Sequence, residues 1–276
     1  MAVLLALVCA GAWGSMEVLL LRSAKDLGAL RLNLWLMIFG TALIAPVALV
    51  SGSPPELGDV PIAIAPALVG LGASTLYMVA LRDGKLSLVS PTVATSGGIG
   101  AVLAVLLLGE ELTAIQVGGL ATAVAGVVLA TASGRSAASP RGMGWAVISA
   151  LLFGLYTVTL AVASERLGAV WAVVAYRITG LVVLGAIFAA ARMSPRVGAQ
   201  GLRRTSTAAA LETVGFLAFT VALTIGPVAV VSVIMGQFST VAVVLATVVL
   251  RERLVRHQWV GVGLMLGATA VLGATQ

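Results

Sequence analysis

GEELTAIQVGGLATAVAGVVL (Gly109–Leu129) and LRERLVRHQWVGVGLMLGATAVL (Leu250–Leu272) decide the fold, because they are one pattern written twice. Setting Glu110 over Glu252, a shift of 142 residues, places Leu108, Leu112, Gln116 and Gly119 on Leu250, Leu254, Gln258 and Gly261. The same shift lays VALRDG (Val79–Gly84) on VALTIG (Val221–Gly226) and VLA (Val102–Ala104) on VLA (Val244–Ala246). Nearer the start, DLGA (Asp26–Ala29) falls on RLGA (Arg166–Ala169) at a shift of 140, a difference that an ordinary loop indel explains. Apolar bias repeats Leu, Val and Ala by chance. It does not align Gly84, Glu110, Gln116 and Gly119 together. The chain reads as two copies of one unit, expected at 1–134 and 142–276.

Composition says where these units live. Of 276 residues, 60% are hydrophobic and 9% charged, against about a quarter charged in a soluble domain. So few charges cannot cover a globule of this size, and the outer surface must face lipid. One cysteine, Cys9, excludes an internal disulfide. The net charge of +6 is a topology signal in such a chain rather than a mark of nucleic-acid binding. A helix needs ~20 apolar residues to cross the hydrocarbon core. Such spans are expected at 2–21, 30–50, 61–81, 88–108, 112–132, 143–163, 169–191, 207–225, 228–250 and 255–274. The first, MAVLLALVCAGAWG, lacks the positive start of a signal peptide and continues apolar to Leu21, so it reads as a retained span. The expected fold is an all-α membrane protein of ten transmembrane helices.

Five spans per half is an odd number, so the second half enters the membrane from the opposite side. Loop charges agree. SGSPPELGDVP (Ser51–Pro61) is acidic, while its counterpart RMSPRVGAQGLRRTS (Arg192–Ser206) is basic. Equivalent loops thus prefer opposite faces, as inverted repeats require. Of the sixteen Lys and Arg, only Arg166 falls in an even-numbered link and only Arg177 within a span. The positive-inside rule then puts the odd links in the cytoplasm and both termini outside, in the cell (inner) membrane.

With AWGSMEVLLLRSAKDLG (Ala12–Gly28), ALRDGKLSLVSP (Ala80–Pro91) and ALTIGPVAVVSV (Ala222–Val233), the repeated stretches resemble the drug/metabolite transporter superfamily, in its ten-span EamA-type branch. The likeness covers nearly the whole chain and marks a scaffold rather than a substrate. It implies two inverted five-helix repeats around a central cavity. The first, third and fourth spans of each would line that cavity, and the last would lie peripherally, often at a dimer contact. Characterised relatives usually keep both termini in the cytoplasm, whereas the charges here point outward.

Glu17 is the sharpest chemical signal. An ionised acid at mid-helix costs about 2.5–3.5 kcal/mol on insertion scales, so one held there is a proton-coupling or cation-binding carboxylate. Its placement resembles the membrane-embedded glutamate of the small multidrug resistance branch. The bland alternative has Glu17 reaching the interface beside Arg22. Arg177, mid-span in AVVAYRITGLVV (Ala172–Val183), is either an anchor for a substrate carboxylate or phosphate, or half of a structural ion pair. Its only acids inside spans are Glu17 and Glu212, and Glu212 itself reads as a solvated end-of-span salt bridge behind Arg203 and Arg204. Trp13, Tyr77 and Tyr156 are deep aromatics that meet substrate or simply pack. SPTVATSGGIG (Ser90–Gly100) joins Pro91 to Ser96 and a glycine cluster, as broken transporter helices do, although close helix packing uses glycine too. Its counterpart SVIMGQFST (Ser232–Thr240) keeps polar Gln237 without a proline.

Enzyme templates fail: the single histidine, His257, stands in a basic loop, and Asp26, Asp59 and Asp83 all lie in links. No metal or other cofactor is expected. The expectation is a secondary transporter, proton-coupled, exporting or exchanging small metabolites, amino acids or drug-like compounds by alternating access. A non-transporting membrane subunit and a lipid-linked-substrate flippase are the other readings. Its partners are a small-molecule substrate and the bilayer, without nucleic acid. Gly118, Thr122 and Gly126, with Gly263 and Gly267, place small residues on one face of the fifth and tenth spans, where a weak homodimer or internal packing would use them.

Overall fold

The computed structural model describes residues 1–51, 55–84, 86–131, 140–250 and 256–275. Lys85, Arg135, Arg251, Glu252 and Arg253, and the unit limits at 134 and 276, lie outside them. Among the described residues there is no strand. The first half runs α1 (Ala2–Leu27), α2 (Ala29–Val50), α3 (Val60–Asp83), α4 (Leu86–Ala94), α5 (Ser96–Leu108) and α6 (Ala114–Thr131). The second runs α7 (Pro140–Leu167), α8 (Ala169–Ala190), α9 (Ala199–Ile225), α10 (Val228–Met235), α11 (Phe238–Leu250) and α12 (Arg256–Ala274). Six of these, α1 to α3 and α7 to α9, are long and apolar enough to cross a membrane, and shorter apolar helices join them. Leu49, Val50, Leu106, Val182 and Leu266 stand exposed on the outside, an arrangement stable only against lipid.

Several helices outrun the apolar stretches. α1 continues to Leu27 and α9 begins at Ala199, so Arg203 and Arg204 sit in helix rather than in a link. Alanine, leucine, lysine and arginine are good helix formers, and nothing stops them before a glycine. Gly28 (φ 77°) and Gly168 (φ 80°) do stop them. They occupy the same position in the two units, where a positive φ that suits glycine turns the chain directly from one helix into the next.

The stretch expected as the fourth span of each half is interrupted, the first at Thr95 and the second at Gly236–Gln237. Thr95 and Gln237 are equivalent at the shift of 142. The second stretch has no proline, so Pro91 is not needed for the break. In each case a tighter turn replaces one turn of α-helix: the Thr95 N–H donates to Thr92 O (3.3 Å) and the Gln237 N–H to Ile234 O (3.1 Å). The breaks lie where the two spans touch. A Cβ on Gly97 would stand 2.5 Å from Ser232 O, and one on Gly236 3.0 Å from Ala94 O.

The halves hold each other by exchanged contacts. α1 packs on α9 and α3 on α7, so the first helix of each half meets the third of the other. α2 pairs with α8 and α6 with α12. Single residues repeat the exchange. Gly14 faces Val241 while Gly154 faces Ile99, and Gly40 faces Arg177 while Gly180 faces Met37. Each pair is equivalent in the repeat.

Candidate functional site

Where α1, α3, α4 and α5 meet α7 to α11, a cavity of about 60 Å³ remains, lined among others by Trp13, Glu17, Ser74, Tyr77, Ser96, Phe153, Tyr176, Glu212, Phe216 and Phe238. A water needs about 10–15 Å³ measured this way. The space therefore holds a few waters and is too small for a solute the size of an amino acid.

Glycine notches seat the rings. A Cβ on Gly215 would collide with the Trp13 indole, and one on Gly70 would stand 2.6 Å from Tyr156. The Trp13 N–H donates to the Glu212 carbonyl at 3.4 Å, and the indole packs edge-on against Phe216, centroids 5.2 Å apart. Tyr176 packs at a tilt against Phe216, centroids 5.0 Å apart, continuing the aromatic wall.

The two buried acids have opposite surroundings. Glu17 is 1% exposed; it accepts hydrogen bonds from the Tyr77 hydroxyl and, at 2.9 Å, from Ser90 Oγ. It neither reaches the interface nor pairs with Arg177. Glu212 accepts instead from Arg177 Nη1 at 2.8 Å. The expected surface salt bridge of Glu212 behind Arg203 and Arg204 is thus replaced by a buried pair, and Arg204 turns outward to Asp26 at 3.2 Å. Helix phase explains it: residue 212 lies on the face of α9 packed against α1 and α8. Arg177 is wholly buried and stands behind the cavity wall, its Nη2 donating to Thr213 Oγ1 at 3.4 Å.

Of the residues singled out from sequence, Trp13, Glu17, Tyr77, Ser96 and Glu212 line the cavity. Tyr156 packs behind them on Tyr176 and Phe216, its hydroxyl without a hydrogen-bond partner among the described residues. Gln237 points away and donates to Thr269 Oγ1 on α12 at 2.8 Å. Sequence reasoning missed Ser90, Phe153, Phe216 and Phe238. Three of these carry a signal in the repeat: Phe153 is the counterpart of Trp13, Phe216 of Ser74 and Phe238 of Ser96. Among the described residues, no group of three His, Cys, Asp or Glu could hold a metal.

Known proteins supply the frame. The model of the EamA-like transporter family matches residues 1–132 and again 140–274. This chain belongs to that family. The EamA-like protein is a multi-pass membrane protein built of two repeats of one unit. A solved structure, a crystal structure of a protein, superposes on it with a TM-score of 0.81 and 16% identity, covering 99% of this chain and 96% of the other. At that identity the likeness establishes the fold alone. No curated protein matches the EamA-like sequence.

Proposed function

We propose that this EamA-like protein is a proton-coupled secondary transporter of small molecules, with Glu17 as its coupling carboxylate. The observation that carries the reading is a buried acid on the wall of a cavity shared by both halves, held by two neutral hydroxyls. A carboxylate so placed binds a proton or the cationic group of a solute without losing a structural partner. The rings of Trp13, Tyr77, Phe153 and Phe216 suit a solute with an apolar or aromatic body, such as an amino acid or drug-like compound. The exchanged contacts support ten spans arranged as two inverted five-helix halves. Such halves rock about a fixed central site, and the narrow cavity is one stage of that cycle.

In proteoliposomes, Glu17→Gln should abolish uptake driven by a pH gradient while the purified protein keeps its wild-type elution and helical content. Unchanged gradient-driven uptake would remove Glu17 from the mechanism, and absence of any flux in the wild type would favour the non-transporting subunit. The loop charges put both termini outside the cell (inner) membrane. A C-terminal tag should then be labelled on intact cells, and labelling only after permeabilisation would reverse the orientation.

An apolar groove of about 800 Å³ along α5 and α6 speaks for the flippase reading. Among the described residues it shares no lining with the central cavity and carries no charged side chain. It can seat an acyl chain but not a head group, so the central cavity remains the better transport site.

A further inference from the structure

We propose that Arg177 is a positioning residue that withdraws Glu212 from the chemistry of the cavity, leaving Glu17 as the one carboxylate there that exchanges protons or cations. The proposal rests on the assignment of Glu17 above. Both acids line the same small cavity, one from α1 and one from α9. Without a device to separate them, the site would present two exchangeable acids and would suit a doubly charged cargo.

The device is visible in the partners. Glu17 is held by Tyr77 and Ser90, which are neutral. Glu212 is held by a guanidinium at 2.8 Å, and arginine keeps its proton throughout the pH range of a protein. The ionisable groups around Glu212 are Arg177 and Tyr176 from α8 and Tyr156 from α7, with Glu17 of α1 on the same cavity. α10 has no ionisable side chain, and the one on α2, Arg31, donates to Ser194 O at that helix's outer end. Arg177 is the single cation of the set.

The guanidinium is also built in. It does not line the cavity, so cargo cannot displace it from the front. Between it and the cavity, the rings of Tyr176 and Phe216 stand 5.7 and 5.3 Å from Cζ. Gly40 of α2 leaves the space it fills, since a Cβ there would lie 2.5 Å from Cζ. The repeat puts Met37 where the second half has Arg177, and Gly70 where it has Glu212. The pair therefore has no counterpart in the first half, so symmetry of the scaffold does not demand it.

Infrared difference spectra of the purified full chain between acid and alkaline buffer test this, with the proton itself as probe. Buried carboxylic-acid bands are assigned by their loss on substitution. The wild type should show one titrating band, absent in Glu17→Gln and retained in Glu212→Gln. Arg177→Met should add a second band, which Arg177→Met/Glu212→Gln removes. Arg177→Gln, which keeps hydrogen-bond donors beside Glu212 but not the charge, should behave as Arg177→Met does. A folded Arg177 variant with only the Glu17 band would overturn the inference and leave the coupling assignment standing. So would loss of the wild-type band in Glu212→Gln, if Glu17→Gln also removes one. A wild-type band that survives Glu17→Gln would instead sink the assignment of Glu17. A purely structural ion pair would lower the melting temperature of the Arg177 variants without adding a band.

Discussion

At the scale of single residues, the site depends as much on missing side chains as on present ones. Gly40 and Gly180 are repeat counterparts on the α2–α8 seam, yet they face different neighbours. A Cβ on Gly40 would meet the pinned Arg177 guanidinium at 2.5 Å, whereas one on Gly180 would meet the Met37 sulfur at 2.7 Å. Methionine is unbranched and adaptable; Arg177 is tied to Glu212 and Thr213. Gly40→Ala should therefore cost about 1–3 kcal/mol of overpacking, only partly offset by a gain in helix propensity of about 1 kcal/mol. Gly180→Ala should be close to neutral. Thermal unfolding of the two variants in one detergent checks the difference, and equal melting temperatures would mean that Arg177 yields as easily as Met37.

At the scale of elements, the halves are tied by a helix end as well as by packing. Glu110, just beyond α5, accepts from the backbone N–H groups of Val228 (2.5 Å) and Ala229 (2.9 Å) at the start of α10. These are among the N–H groups that no helical carbonyl can satisfy, and a carboxylate there also meets the positive end of the helix dipole. Glu110→Ala should cost about 1–2 kcal/mol and speed hydrogen exchange at Val228 and Ala229 ahead of the rest of α10. Uniform loss of protection along α10 would show that the contact holds the fold as a whole rather than this end. Glu110 stood out in sequence as a repeat marker. Its role was illegible there, because the N–H groups it serves lie more than a hundred residues away.

At the scale of the whole molecule, α6 and α12 pack together within the chain, and the small residues on them divide into two sets. Gly126 faces Met265 and the Gly261 carbonyl, and Gly119 faces Leu272. Gly118, Gly263 and Gly267 have open space where a Cβ would stand and border an open groove. A weak homodimer, if it forms through these helices, uses the second set. Gly126→Leu should lower monomer stability. Gly118→Leu/Gly267→Leu should reduce cross-linked dimer in native membranes while leaving the melting temperature of the monomer unchanged. Equal cross-linking in that variant and the wild type would place any dimer contact elsewhere.

The sequence by itself determined the environment, the helical class and the doubling of the chain. Charge density is a bulk property, and matched Gly84, Glu110, Gln116 and Gly119 survive without knowledge of contacts. It also determined that Glu17, Arg177 and Glu212 are the charges to watch, since burying a charge in lipid is costly wherever it lies. Only the tertiary structure decided how those three sort. Arg177 had two acids to choose from, and the choice depends on the angle at which α8, α9 and α1 meet, to which linear spacing is blind. The same holds for Gln237, polar and mid-span yet turned towards α12, and for Ser90, an ordinary serine until α4 brings it to Glu17. Helix phase sets which residues share a face of one helix. Which faces then oppose each other across the two halves is set by packing, and the cavity exists only there.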